Sequence, residues 1–220
     1  MITEADGYRW EAEPGTDDTL GPGDHESNLE PVLRGLLGSG AFLDVGAHVG
    51  HWAVRLAAQA GTVIAVEASP GTAAVLRVNI ALNALEDVIT VLEAAAWDSR
   101  AGLRLGNPVD SRVRSACTRT VPGGIGAPVQ GLPLDDLLDP GLGISLVKLD
   151  VEGADLHALR GMAAMLARCR PVLFIERHDS YGCYAIGEMH ELLGALGYRW
   201  RDGPESAGSR YLICEPDGSR

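Results

Sequence analysis

The apolar run at residues 41–45 ends in Asp44-Val45-Gly46-Ala47-His48-Val49-Gly50, a D-x-G-x-x-x-G loop, and a helix-forming segment follows at once. Glycine lets a backbone bend sharply and lets a ligand come close to it. A helix start presents unpaired N–H groups and a partial positive charge, so this turn suits a ligand's carboxylate. Other apolar runs also close on acids. Glu67 ends the run 62–66, Asp98 lies just beyond a third run, Asp150 and Glu152 follow 144–149, and Glu176-Arg177-His178 follows 172–175. In an open α/β sheet the ligand lies at the carboxyl ends of the strands, so these acids would share one rim. Together they suit a ligand carrying a sulfonium, an ammonium and a ribose diol. Glu67, 21 residues after Gly46, is placed to accept from both ribose hydroxyls. The spacing departs from G-x-G-x-x-G, so the dinucleotide fingerprint is absent.

Asp44, Gly46, Ala47, His48, Gly50, Glu67 and Asp150 are thus the candidate cofactor-binding residues, with Ala68 beside Glu67. Ala96, Trp97 and Asp98 join them, Asp98 accepting from an exocyclic amine and Trp97 giving apolar cover. His178, Lys148 and Asp150 are the candidate catalytic residues. Histidine is the usual base for an alcohol acceptor. A lysine flanked by carboxylates stays charged and would orient a substrate oxygen or stabilise a developing alkoxide. Residues 148, 150 and 152 share a face if the strand continues. Glu152, Glu176 and His178 are the candidate substrate-binding residues. Two plainer readings stand beside these: Lys148–Glu152 as a structural ion pair at a helix start, and His178 as a surface loop histidine. Asp150 and Glu152 would suit a divalent cation, but nothing in the spacing requires one. His25, His157 and His190 read as isolated, and no H-x-x-x-H or H-x-H pair suggests zinc, so no metal is expected.

The surrounding pattern supplies elements to hold these residues. Helical periodicity runs over 26–37, 52–60, 70–82, 153–167 and 186–196, with Ser69 as a cap and Pro70 in the first turn. Strands are expected at 41–45, 62–66, 88–92, 144–149, 172–175, 198–201 and 210–214, and a short helix at 134–138. Alternating strands and helices imply a Rossmann-like α/β fold: a seven-stranded, mostly parallel sheet with an antiparallel edge and helices on both faces. Residues 1–25 are acidic and rich in Gly and Pro, which reads as an irregular arm or lid. Residues 26–220 form a single domain, and 99–133 read as a substrate-facing insertion with a hairpin.

The net charge is −12, and no basic face stands against phosphate repulsion, so nucleic acid is excluded as a partner. No apolar run is long enough for a bilayer span, and the first residues lack a secretory signal, so a cytoplasmic location is expected with four reduced cysteines. Lys148 is the only lysine among 18 basic residues, which marks it as a place where a compact ammonium suits better than a guanidinium fork. A homo-oligomer is compatible with the pattern and not required by it.

The sequence resembles the FkbM-type family of class I S-adenosylmethionine-dependent methyltransferases. The likeness lies in FLDVGAHVG (42–50), VIAVEASP (63–70), VNIALN (78–83), LDDL (134–137), VKLDVEGADLHALRG (147–161) and PVLFIERH (171–178). These segments span about residues 26 to 201, and VKLDVEG is the most distinctive. His48 stands where the family often has Asn, and Ala68-Ser69-Pro70 replaces a more usual Glu-Pro-x-Pro. Residues 99–133 and the N-terminal arm match poorly. The resemblance implies S-adenosyl-L-methionine as cofactor and O-methylation of a hydroxylated small molecule, such as a sugar or secondary metabolite. The residues alone also permit N-methylation. A nicotinamide-dependent oxidoreductase is disfavoured by the loop spacing and by the lack of a Tyr-x-x-x-Lys pair, and a non-catalytic cofactor-binding module by the acids at every strand end.

Overall fold

The computed structural model describes residues 2–11, 26–106, 119–121, 126–179 and 183–218. The chain begins with a hairpin of β1 (Ile2–Ala5) and β2 (Tyr8–Glu11), then α1 (Glu30–Leu36) and β3 (Ala41–Val45). α2 (His51–Ala60), β4 (Val63–Glu67), α3 (Pro70–Leu82) and β5 (Ile89–Glu93) complete the first half. β6 (Ala95–Ala96), β7 (Ala101–Gly106), β8 (Arg119–Val121) and β9 (Ala127–Leu132) form a side sheet in the order β6-β9-β7-β8. The second half contains β10 (Ile144–Leu149), α4 (Asp155–Gly161), α5 (Ala163–Cys169), β11 (Val172–Glu176), α6 (Ile186–Ala195), β12 (Tyr198–Ser206) and β13 (Ser209–Pro216).

The main sheet has seven strands in the order β12-β13-β11-β10-β3-β4-β5. The chain leaves β3 outward to β4 and β5, then returns to β10 on the other side of β3. That reversal puts the crevice at the carboxyl ends of β3 and β10. β13 runs antiparallel to both β11 and β12, so the antiparallel member sits one place in from the rim, which β12 forms.

One face of the sheet buries Leu43, Val45, Val147, Leu149, Leu173 and Ile175 against α4, α5 and α6. The other buries Phe42, Ala65, Leu146, Phe174 and Ile213 against α1, α2 and α3. Asp44 pairs in register with Lys148, and both stand two residues on from apolar partners (Phe42 and Leu146) on this second face. Period-two alternation therefore buries two opposite charges side by side beneath α2.

The structure differs from the sequence expectation in three places. Residues 2–11 are a hairpin, not an irregular arm. Trp10 is buried against His51 and Arg55, and the Asn79 and Asn83 side chains bond β2 backbone in both directions. Those tertiary bonds supply what local propensity lacks; residues 12–25 lie outside the described residues. The helix expected over 153–167 breaks at Met162 into α4 and α5, and it starts two residues later, after a left-handed turn. The insertion is a sheet of its own, with residues 107–118 and 122–125 outside the described residues. Among the described residues, no helix is long and apolar enough to cross a membrane.

Candidate active site

Gly46 holds the loop after β3 at a conformation with φ +82°, and a Cβ there would stand 1.7 Å from the Asp150 carbonyl oxygen. Only glycine permits that approach. The Gly46 and Ala47 N–H groups both donate to the Val66 carbonyl at 2.9 Å, and the Asp150 N–H donates to that of Val45 at 3.0 Å. The loop is therefore sewn to both neighbouring strands, and these two amides serve the fold. Further on, α2 opens at Gly50 with no side-chain cap, and the Ala53 amide in its first turn bonds Asp44. His48 adopts φ +52°, a left-handed conformation uncommon for a residue with a Cβ. Its N–H donates to Glu67 Oε2 at 3.0 Å, and the Ser69 N–H donates to Glu67 Oε1 at 2.8 Å. Two backbone amides thus fix the carboxylate at the end of β4. An ionised carboxylate accepts through both oxygens, the chemistry that a diol requires.

Beside it, β6 carries Ala96 and leads into Trp97 and Asp98. Trp97 is buried with Ala68 and Val151 packed near it, and its ring stacks on His157 at 3.7 Å. His157 Nδ1 meets Asp98 Oδ2 at 2.6 Å, and Ser99 Oγ donates to Oδ1 at 3.1 Å. Burial would raise the Asp98 carboxyl, but the His157 and Ser99 contacts together outweigh it and hold it below its usual range. His157 is therefore not isolated: it orients Asp98 and covers one face of Trp97.

The second half of the site gathers at the ends of β10 and β11. Lys148 is buried and donates to Asp150 Oδ2 at 3.0 Å. Burial opposes its charge, but Asp150, Asp44, Glu26 and Glu176 outweigh that and raise the ammonium above its ordinary range. Asp150 is likewise held below the carboxylate range, with Lys148 and His178 overcoming its burial. Asp44 is pushed up to about 6, mainly by burial, against the pull of Lys148. β10 ends at Leu149, so Asp150 and Glu152 converge through a turn and not by strand alternation. Glu152 sits at φ +52° and Gly153 at φ +95°.

His178 lies at the centre. Its Nδ1 meets Asp155 Oδ1 at 3.4 Å, and Nε2 faces Asp150 Oδ1 at 3.6 Å, Glu152 Oε2 at 3.7 Å and Glu176 Oε1 at 3.9 Å. Burial alone would lower its pKa, but Asp155, Asp150 and Glu152 raise it to about 9. Glu176 is pushed up to about 8, by burial first and then by Asp150. The Tyr211 hydroxyl on β13 donates toward Glu176 Oε2 at 3.3 Å and also contacts Glu26, which accepts from Trp52 Nε1 at 3.3 Å. The His178 N–H donates to the Tyr184 hydroxyl at 3.1 Å. His178 is 2% exposed, so it is not a surface loop histidine.

The candidate residues therefore fall into two neighbouring groups. Gly46, Ala47, His48, Gly50, Glu67, Ala68, Ala96, Trp97 and Asp98 line one side; Lys148, Asp150, Glu152, Glu176 and His178 line the other, with Asp44 under both. Sequence reasoning missed Asp155, Tyr184, Tyr211, Glu26 and the role of His157. Asp155 carried a signal, an acid in the first helical turn of the most distinctive segment; Tyr211 and Glu26, 185 residues apart, carried none.

Residues 44–200 match the family model of the methyltransferase FkbM domain. Among solved structures, the FkbM methyltransferase of Methylobacillus flagellatus KT superposes with a TM-score of 0.56 at 18% identity, over 81% of this chain and 45% of that one. This chain thus spans less than half of that protein's length. Precorrin-6y C5,15-methyltransferase from Geobacter metallireducens GS-15 gives 0.54 at 17% identity, over 86% and 87% of the two chains. Precorrin 8w decarboxylase from Methanobacterium thermoautotrophicum gives 0.56 at 16%, over 94% and 97%. At these identities the likeness shows the fold alone. No curated protein matches the sequence.

Proposed function

Since the chain belongs to the FkbM methyltransferase family, we propose that it methylates a hydroxyl on a small molecule, a sugar or secondary metabolite, with S-adenosylmethionine as donor. The observation carrying this reading is Glu67, a carboxylate at the end of β4 fixed in place by the His48 and Ser69 amides, directly beside the charged cluster. The donor set fits the cofactor. The uncapped start of α2 suits its carboxylate, Asp44 and Asp150 its positive charges, and Ala68, Trp97 and Val151 a flat base.

When bound, the cofactor supplies a sulfonium-activated methyl group. The chain's own residues align the acceptor, exclude water and handle the hydroxyl proton. Asp150 Oδ1 accepts from the acceptor hydroxyl, while Lys148 keeps Asp150 ionised. His178, oriented by Asp155, holds its proton at neutral pH and donates toward the acceptor oxygen; it becomes a base only once that proton is displaced. Glu152 and Glu176 flank the oxygen. An amine acceptor among these carboxylates would be held protonated and non-nucleophilic, which favours O- over N-methylation.

Calorimetric titration with S-adenosylmethionine, S-adenosylhomocysteine and NAD tests the reading. Micromolar binding of the first two, weakened in Glu67→Ala, is the expected result, and binding of NAD alone would overturn it.

A further inference from the structure

We propose that Asp150, Glu176 and His178 bind a divalent transition-metal ion and that this ion receives the acceptor oxygen. The inference deepens the methyltransferase reading and rests on it for the second clause only. One ligand atom from each of Asp150, Glu176 and His178 lies within 4.8 Å of the other two. His178 Nε2 stands 3.6 Å from Asp150 Oδ1 and 3.9 Å from Glu176 Oε1. Ligands bonded to one ion at ~2.1 Å stand ~3.0–4.2 Å apart, so these spacings frame an ion.

The stronger argument is what holds the other end of each side chain. Asp150 is anchored through Oδ2 by Lys148 at 3.0 Å, Glu176 through Oε2 by Tyr211 at 3.3 Å, and His178 through Nδ1 by Asp155 at 3.4 Å. In every case a different atom of the same group is turned to the shared space. A carboxylate on the far nitrogen of a ligating histidine sets the tautomer and aims the other lone pair at the metal. Asp155, fully buried, is in that position. With Nδ1–H given to Asp155, Nε2 faces the carboxylate oxygens of Asp150, Glu152 and Glu176; in the metal-free protein its own proton supplies the positive charge among them, and an ion takes that place by displacing the proton. Bound Lys148 cannot fill that place, because its ammonium is committed to the outer oxygen of Asp150.

Two carboxylates and one imidazole suit manganese, iron, cobalt or zinc better than calcium. Three protein ligands leave positions open for an exogenous oxygen. A coordinated hydroxyl loses its proton more readily. That proton passes to solvent past Glu152, the oxygen forms its bond to the methyl carbon, and the carbon–sulfur bond breaks to leave a neutral thioether. Charge and atoms balance: one proton is released for each methyl transferred.

The test is calorimetric titration of chelator-stripped full-length protein with manganese chloride, without S-adenosylmethionine, alongside the visible spectrum of the cobalt(II) form. One equivalent bound at micromolar affinity, with a cobalt spectrum of nitrogen and oxygen ligation, is expected. Asp155→Asn, which keeps the ligands, should weaken binding about 10–100-fold, and His178→Ala should abolish it. Absence of saturable manganese, cobalt or zinc binding in folded wild-type protein would overturn the proposal, as would binding that is unchanged in His178→Ala. S-adenosylmethionine binding measured in chelator separates the two readings. Its retention without metal binding removes the ion alone, and metal binding without it removes the methyltransferase reading.

Discussion

The two sides of the rim are built on different physics. Around Gly46–Gly50, Glu67 and Trp97, polar groups are held by backbone amides, and Asp98 is held ionised by its histidine. Around Lys148, Asp150, Glu176 and His178, ionisable side chains are buried against one another, and their pKa values move apart, Asp150 downward and His178 to about 9. The first side is preorganised by hydrogen bonds that change little on binding. The second stores charge that a substrate, proton or ion must balance. On the function proposed above, recognition and chemistry divide across the switch point between β3 and β10.

The severest way to break that division is at Gly46, which touches both sides. A Cβ placed 1.7 Å from the Asp150 carbonyl oxygen, at φ +82°, forces the loop and the β10 end apart. Gly46→Ala should cost about 4 kcal/mol or more, read by urea denaturation, with loss of binding on both sides. Lys148→Met should cost about 3–5 kcal/mol, because it leaves the buried Asp44 and Asp150 without their cation. Cofactor binding through Glu67 should suffer less than stability in that variant.

Glu67→Ala should do the reverse, weakening S-adenosylmethionine binding about 100-fold, close to 3 kcal/mol, with a small change in melting temperature. The charged side alone should show a pH signature. His178 has its pKa raised from 6.5 to about 9, so its contribution is present below about pH 6.5 and lost as pH rises through 9. Glu176, raised from 4.5 to about 8, acts in the same direction, losing its contribution between those values. Stability of the metal-free protein should therefore fall by about 5 kcal/mol between pH 6.5 and 9, about 3 of it from His178, and His178→Asn should remove that larger share of the slope. The smallest effect is expected at His157→Ala, about 1 kcal/mol or less in stability, since the Asp98 pair is partly solvated.

Much of the first side was legible in the sequence because it depends on local order. Asp44, Gly46 and Gly50 mark a strand, a turn and a helix start within ten residues, and Glu67 follows one βα unit later. The acids at the ends of β10 and β11 were legible for the same reason. What was not legible depends on long-range meetings. Asp155 reaches His178 across a turn whose left-handed Glu152 and Gly153 no pattern announces, and they end β10 before the alternation of 148, 150 and 152 can run. The hairpin at 2–11 is held by Asn79 and Asn83 from α3, so its composition alone reads as irregular.

β13 enters the sheet between β11 and β12, and it carries Tyr211 to Glu176 and Glu26. The charged half of the rim is therefore complete only when β13 occupies its interior place, because Glu26 and Glu176 meet through a tyrosine that neither β10 nor β11 supplies. Were β13 to leave, the edge of β11 would open to pairing with other strands. Sheet closure and the setting of Glu176 are thus one event: loss of β13 would leave the Gly46 loop in place but remove the hydroxyl that Glu176 meets.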